Sequence, residues 1–538
     1  MATQGQSPQG AQQSHGMIKR AVVSSFLFRL PPGQPTKPSV ALFKRSEKVR
    51  TYRHHLAPIS GSIDPTDPDP LAAAWRELCE ETGLTPSDLS FWRTGKPFTF
   101  SDPSIGREWT VHPFAFRLKD PAEGGQGEAA IRIDWEHEGW QWYDPRTVLE
   151  DESLNTVPRL QDSLRRVWFE GTTNERAAKA LATGLERLRA DHESGAHELT
   201  AIALTVFRDF IAYTQNRLDA EWWNMVRMAA WHLIKNGRES MGAATQNAVL
   251  SVLAEIEGIM EQKTGPEQKW DRILVLIDFH LRNRANIAQQ VKHSFISYLQ
   301  SHFSSGGTQK DRLTILTMSS SSTIRDSILE VYDALGIHTL ELRVLESRPL
   351  FEGASFASSL LSTFKSQSNP PNKKLHVRIY TDASAALAAK DVDIIMLGAD
   401  RISAAKGVCN KTGSLPLVLS AKHVTPGVQI VVLSDLEKVN GMAGVIDDKL
   451  AEGNDPFEVS SAWRNDGVKG VQALESEVRA SKSDQENLSV TVENIYFEWV
   501  PLDMVDAFIC EEGVLEKDSI QEKSQKLGER VNRYFGDL

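Results

Sequence analysis

Hydrophobic periodicity changes twice along this chain, and those changes restrict its fold more than any other feature of the sequence. In residues 21–30 and 39–44 apolar and β-branched side chains are bracketed by Pro and Gly, the pattern of two strands joined by a Pro-rich loop. Residues 70–81 open with Pro70, continue through good helix formers and meet Gly83 just beyond, which marks both ends of a helix. Aromatic and β-branched stretches at 97–100, 110–118 and 139–143 return to strands, giving an α+β layer arrangement. From about 160 to 303 the period lengthens to that of helices, in segments such as 176–189, 199–216 and 243–262. Beyond residue 311 apolar strands near 313–317, 339–345, 377–381, 394–397 and 428–433 alternate with helical runs, which implies a parallel sheet wrapped by helices.

A chain of 538 residues exceeds one core, and at roughly 150 residues per domain it forms about three folding units. The expected class is multidomain α/β: a flexible tail at 1–16, an α+β domain at 17–155, a helical subdomain at 165–305 and a Rossmann-like α/β domain at 306–538. The polar, charged stretch 480–487 reads as a mobile loop. A net charge of −11 without a basic stripe makes neither a nucleic acid nor a membrane surface an evident partner. Cys79, Cys409 and Cys510 form neither a disulfide framework nor a metal-ligand spacing, which points to a reducing compartment. No apolar run approaches the roughly 18 residues needed to span a bilayer, so a soluble cytoplasmic protein is expected.

Glu77, Glu80 and Glu81 stand at i, i+3 and i+4, on one face of the expected helix. Like charges at these spacings cost a helix roughly 0.2–0.5 kcal/mol per pair, a penalty that a hard divalent cation relieves. Mg²⁺ in such a place bridges a pyrophosphate and lowers the pKa of an attacking water, while Arg76 is positioned to orient a carboxylate. The alternative is a solvated acidic helix with no ligand. Trp92, Phe98, Phe100 and Trp109 offer either a stacking surface for a base or ordinary sheet core.

The run Arg76-Glu77-Leu78-Cys79-Glu80-Glu81-Thr82-Gly83-Leu84 resembles the motif of the Nudix hydrolase family. The resemblance implies a pyrophosphohydrolase domain at 17–155 with Arg76, Glu77, Glu80 and Glu81 as its catalytic residues. It further implies that Glu77, Glu80 and Glu81 ligate Mg²⁺, or Mn²⁺ in its place, and that the substrate is a nucleoside diphosphate linked to another group. Gly61 resembles the glycine that opens the motif and is placed with the substrate, although it stands one residue too far from Arg76. The family's upstream Glu falls near Pro68, between Asp67 and Asp69. Glu136 and Glu138 are either an additional ligand or base, or exposed loop carboxylates.

Farther along, the strand ending at Thr317 runs into Met318-Ser319-Ser320-Ser321-Ser322-Thr323 before a helix, where hydroxyls and free N–H groups make either an anion site or an ordinary Ser cap. Glu346-Ser347-Arg348-Pro349 and Gly398-Ala399-Asp400-Arg401-Ile402 each follow other strands. Ligand groups gather at the carboxyl ends of strands in open α/β sheets, so these segments are expected to share one crevice suited to a phosphorylated sugar or nucleotide.

These boxes resemble the family formed by the regulatory subunits of translation initiation factor 2B, methylthioribose-1-phosphate isomerase and ribose-1,5-bisphosphate isomerase. The resemblance also includes Asp191 with Ser194-Gly195-Ala196, Arg238 with Ser240-Met241, Gly353, Asn410-Lys411-Thr412-Gly413, and Phe497-Glu498-Trp499-Val500-Pro501 with Asp506, Glu511 and Gly513. It implies ligand-binding roles for Arg238, Thr317, Ser319, Ser320, Arg348, Asp400, Asn410 and Lys411, and a proton-transfer role for Asp400. Where the isomerases carry a Cys this chain has Ser319, whose hydroxyl ionises far less readily than a thiol of pKa about 8.5. Three functions are thus in view: a Nudix hydrolase fused to a sugar-phosphate or nucleotide-binding regulatory domain, a translation-associated binding or scaffold protein with a silent Nudix helix, and a sugar-phosphate isomerase. The family resemblance implies a homodimer or association with related subunits.

Overall fold

The computed structural model describes residues 17–30, 38–192, 194–214, 218–303, 311–367, 372–441, 445, 454–480 and 490–538. The tail expected at 1–16, and all of 480–487 beyond its first residue, lie outside them. The chain divides after Lys179 into two compact units.

The first unit is built on a seven-stranded sheet of β1 (Ile18–Arg29), β2 (Ser39–Arg45), β3 (Leu56–Ala57), β4 (Leu89–Thr94), β5 (Phe98–Asp102), β6 (Arg107–Leu118) and β7 (His137–Tyr143). β1 runs parallel to β6 from Ile18↔Arg107 to Phe28↔Arg117, whereas the other named pairings are antiparallel. Strand alternation separates two cores. Val23, Leu27, Ala41 and Phe43 pack with Ala73, Ala74 and Leu78 of helix α1 (Pro70–Thr82). Phe26, Phe28, Val40 and Leu42 pack on the opposite face with α2 (Pro145–Glu150) and α3 (Leu160–Val167). Helix α1 starts where Asp69 accepts from the Ala72 N–H at 2.8 Å and ends at Gly83, whose φ of 68° lets its N–H reach back to Cys79. Strand β4, absent from the sequence reading, contributes Trp92 to the second core.

The helical region comprises α4 (Glu175–Ala190), α5 (Ala196–Tyr213), α6 (Ala220–Lys235), α7 (Gly242–Met260) and the 38-residue α8 (Pro266–Phe303). The α/β region adds β8 (Arg312–Met318), α9 (Ser322–Ile328), α10 (Val331–Leu335), β9 (Thr339–Leu345), α11 (Glu352–Ser366), β10 (Lys374–Tyr380), α12 (Ala385–Ala388) and β11 (Ile394–Leu397). It continues through β12 (Arg401–Ser403), β13 (Gly407–Lys411), α13 (Ser414–Val424), β14 (Gln429–Leu433), α14 (Pro456–Asn465), α15 (Val471–Ala480), β15 (Phe497–Val500), β16 (Ala507–Cys510), β17 (Gly513–Leu515) and α16 (Lys517–Phe535).

The main sheet has the order β10-β9-β8-β11-β14-β16-β17, parallel except for β17. Both faces are covered: Ile315, Met396 and Val431 belong to one core, and Leu316, Ile395 and Val432 to the other. The chain leaves β8 toward β9 on one side and reaches β11 on the other, so the topological switch, and the natural ligand crevice, lies at the carboxyl ends of β8 and β11. A small antiparallel sheet of β12, β13 and β15 carries Arg401, Asn410 and Lys411 beside it.

Candidate functional site

In the first unit, Glu77, Glu81 and Glu136 line one cavity of about 350 Å³ together with Gly61, Arg45 and Arg107. The Glu77 carboxylate lies directly against Gly61, where a Cβ would stand 1.9 Å from Glu77 Cδ. Arg76 gathers the acids around it: Nη1 donates to Glu77 at 2.8 Å and to Glu80 at 3.1 Å, while Nε and Nη2 donate to Asp67 at 3.1 and 2.9 Å. Asp67 thus supplies a carboxylate partner for Arg76 from the loop where the motif departs, and Asp69 is occupied as the helix cap. Glu80 is the outlying member, with its side chain 58% exposed, and it does not line the cavity.

Glu81 is buried and pairs with His137 Nε2 at 2.6 Å. Burial pushes the Glu81 carboxyl well above the usual carboxylate range, and the negative charges of Glu136, Glu77 and Asp134 push it further. Burial also raises Glu77 and Glu136 and lowers His137 to about 4, so that imidazole is neutral at pH 7. Glu138 instead bonds Lys44 at 3.0 Å and His54 at 2.7 Å and does not line the cavity. Among the described residues no three His, Cys, Asp or Glu side chains are drawn close enough to hold a metal ion. The donor chemistry nevertheless fits a hard divalent cation, because these are carboxylate oxygens and the burial and mutual repulsion that raise Glu77 and Glu81 are what a cation among them would offset.

The four aromatic candidates separate. Trp92 packs edge-on to Phe28 at 5.0 Å and Phe98 lies beneath Arg166 at 4.6 Å, whereas Phe100 and Trp109 line the cavity with Tyr52. Sequence reasoning missed Arg45, Tyr52, Arg107 and His137; the one local signal was a His at a strand start, one step out of phase with Glu138. Gly61→Ala is expected to displace the Glu77 carboxylate and lower Mg²⁺-dependent turnover by about 10–100-fold, the usual scale for disturbing a group that positions a ligand. Steady-state kinetics beside a thermal melt checks this, since an unchanged rate removes the argument from close approach.

In the second unit, Ser319 follows β8 at a φ of 63°, donating its N–H to Ser347 Oγ at 2.7 Å and its hydroxyl to Glu352 at 3.2 Å. Lys411, only 3% exposed, pairs with the same Glu352 oxygen at 3.1 Å. Asp400 faces Lys438, Glu352, Lys411 and Arg238; burial raises its carboxyl, Glu352 adds to this, and the three cations oppose it. Arg238 is held by the Asp191 carbonyl at 2.7 Å, and Asn410 Nδ2 donates to Ser414 at 2.9 Å. The fold therefore brings Ser319, Asp400, Lys411 and Arg238 into one charged group at the switch point.

Other members of the expected set are elsewhere. Thr317 is 1% exposed and its hydroxyl donates to the Met396 carbonyl at 2.8 Å, so it is held against the neighbouring strand rather than presented at the crevice. Arg348 bonds Glu346 at 2.9 Å, lies over Phe351 and lines a separate cavity of about 170 Å³ with Asn494 and Ile495. Ser320 is exposed, Ser321 caps α9 by accepting from Ile324 N at 3.3 Å, and Arg325 pairs with Asp326. The Ser-cap alternative for this segment is thus realised at Ser321. Cys409 is fully buried in β13 opposite Arg401.

At the ends of β14 and β16, Asp435, Glu437 and Glu511 share a buried region with Arg284, whose Nη1 reaches Glu437 at 2.8 Å, and His197. Burial pushes Glu437 up to about 7 and Glu511 up to about 6, neighbouring carboxylates add to both, and Arg284 opposes the shift at Glu437. Both folded values exceed the ordinary 4.5, so the stability they confer is full below that pH and is lost as pH rises through 6 to 7. Glu437→Gln is expected to flatten the fall in melting temperature between pH 5 and 7.5; calorimetry showing equal slopes in both proteins rejects the assignment.

Comparison with known proteins agrees with this division. The model of the Initiation factor 2 subunit family matches residues 192–517, more than half of the chain. The chain belongs to that family. A NUDIX domain model matches residues 20–164, which makes the N-terminal unit a domain of the hydrolase type. The methylthioribose-1-phosphate isomerase of Pseudomonas fluorescens (strain Pf0-1) is 28% identical over 183 residues, 34% of this chain and 42% of the isomerase. The chain therefore spans less than half the length of this curated relative. The translation initiation factor eIF-2B of Pyrococcus horikoshii OT3 is similar over 62% of this chain and 96% of its own, at 18% identity and a TM-score of 0.43. An Ap4A hydrolase of C. elegans is similar over 27% of this chain and 93% of its own, at 20% identity and a TM-score of 0.22. Among the described residues no helix is long and apolar enough to cross a membrane.

Proposed function

We propose that the N-terminal unit hydrolyses the phosphoanhydride of a nucleoside diphosphate derivative with Mg²⁺, or Mn²⁺ in its place, and that the C-terminal crevice binds a sugar phosphate or nucleotide with a regulatory role. The observation that carries the first half is the enclosure of Glu77, Glu81 and Glu136 in one cavity under Gly61, with like charges and burial raising all three carboxyls. A divalent cation, which Glu77, Glu80 and Glu81 would hold, supplies Lewis-acid polarisation of the phosphoryl oxygens and a lower pKa for water. Arg45 and Arg107 neutralise the diphosphate. Glu136, half-buried and with a raised pKa, accepts the proton of the attacking water as the P–O anhydride bond breaks.

For the second half, the supporting observation is that Lys411 and the Ser319 hydroxyl meet on Glu352 at 3.1 and 3.2 Å at the switch point, with Asp400 in the field of Lys438, Lys411 and Arg238. Binding is favoured over isomerisation because the Ser319 hydroxyl, bonded to Glu352, has no means of ionising near neutral pH. The test is Mg²⁺-dependent phosphate-ester production from a panel of nucleoside diphosphate derivatives, with and without chelator and with ribose phosphates added. Turnover that vanishes with chelator is expected, and no turnover on any compound transfers the assignment to a binding protein. Self-association, implied by the family resemblance, belongs to the same reading; light scattering that returns a monomer counts against it.

A further inference from the structure

We propose that the two sites are chemically consecutive: the N-terminal cavity takes a nucleoside diphosphate whose second phosphate carries a pentose, and its cleavage releases the sugar phosphate that the C-terminal crevice binds. This rests on the hydrolase reading and adds the identity of the group beyond the diphosphate. Three features of the cavity select it. One wall is aromatic, formed by Tyr52, Phe100 and Trp109, and belongs to a small apolar cluster apart from both main cores. The Trp109 indole N–H is buried there beside the Tyr52 hydroxyl, which donates to Asp102 at 2.7 Å. A base stacked on this wall gains an aromatic face.

The charge of the cavity selects a short phosphate chain. Its lining cations are Arg45 and Arg107, the latter 5.1 Å from the Trp109 ring, which matches two phosphates rather than four. Ser60, Ser62 and Ser163 line the same space, where hydroxyls suit a polyol and no further aromatic side chain of the lining offers a face to a second base. Water adds to one phosphorus and the anhydride P–O bond breaks, so a nucleoside monophosphate and a sugar phosphate leave with two protons released. The sugar phosphate is a hydroxyl-rich dianion, and the crevice where Lys411 and Ser319 meet on Glu352 at 3.1 and 3.2 Å, with Arg238 held at the Asp191 carbonyl and Asp400 in the field of these cations, offers positive charge for the phosphate and a carboxylate for hydroxyls.

The full chain is assayed with ADP-ribose and diadenosine tetraphosphate in Mg²⁺, and ribose 5-phosphate is titrated into it by calorimetry. We expect kcat/KM for ADP-ribose about tenfold or more above that for the tetraphosphate, and ribose 5-phosphate binding weakened about tenfold or more in Lys411→Met. Trp109→Leu is expected to raise KM for ADP-ribose roughly tenfold with a smaller change in kcat; Phe100→Leu, a gentler change on the same wall, moves KM in the same direction. Hydrolysis that favours the tetraphosphate, or a hydrolytically active chain that does not bind ribose 5-phosphate, overturns the inference and leaves the hydrolase reading standing. No hydrolysis of either compound overturns both.

Discussion

Glu77→Gln should lower Mg²⁺-dependent hydrolysis by about 10²–10⁴-fold, the scale of the several kcal/mol a metal contributes to a phosphoryl transition state. The amide keeps the shape of the side chain and can still accept from Arg76 Nη1, now at 2.8 Å, so the substitution removes charge with little loss of packing. Glu81→Gln should cost as much, because that carboxyl is buried in the same cavity, where it pairs with His137 at 2.6 Å. Glu80→Gln should cost less: its side chain is 58% exposed and outside the cavity lining. Initial rates measured across a Mg²⁺ titration rank the three. Equal losses at all three positions mean that the motif acts as one set and that cavity position does not order it; a Glu77→Gln rate close to wild type refutes the metal assignment outright.

Gly407→Ala is expected to produce the largest loss of stability in the second unit. Its φ of 116° is a conformation that L residues rarely adopt, and an added Cβ would stand 2.0 Å from the Val500 carbonyl oxygen and 2.8 Å from the carbonyl carbon. Those are backbone atoms of the strand paired with β13, so relief requires pulling β13 away from β15. Strain of about 1–3 kcal/mol and overpacking of about 1–3 kcal/mol together predict a loss of several kcal/mol, and a fall in melting temperature of roughly 10 °C. Ligand binding should weaken as well, because β13 carries Lys411 to its 3.1 Å contact with Glu352. Scanning calorimetry decides the matter, and an Ala variant that melts with the wild type shows that the β13–β15 edge yields.

The local features of both units were legible because their physics is local. Pro70 and Gly83 bound α1 through φ preferences that act within one turn, and the spacing of Glu77, Glu80 and Glu81 places them on one helix face whatever surrounds it. Five strands of the second unit, β8, β9, β10, β11 and β14, were legible from apolar runs bracketed by polar turns, whereas the short β16 and β17 were not. The small sheet of β12, β13 and β15 was not, since its strands are three to five residues long and their partners are far apart in sequence.

What the sequence determined by itself is therefore the kind of chemistry in each half: carboxylates on a helix, and charged boxes after strands. Tertiary structure decided which of those residues work together. The pairing of β2 with β7 sets Arg45 opposite His137, and with them the surroundings of Glu81, across more than ninety residues that no local pattern links. The pairing of β8 with β11 set the Thr317 hydroxyl on the Met396 carbonyl, whereas Ser319, two residues on and so in phase with it along a strand, reaches Glu352 because its φ of 63° takes the chain off the strand path.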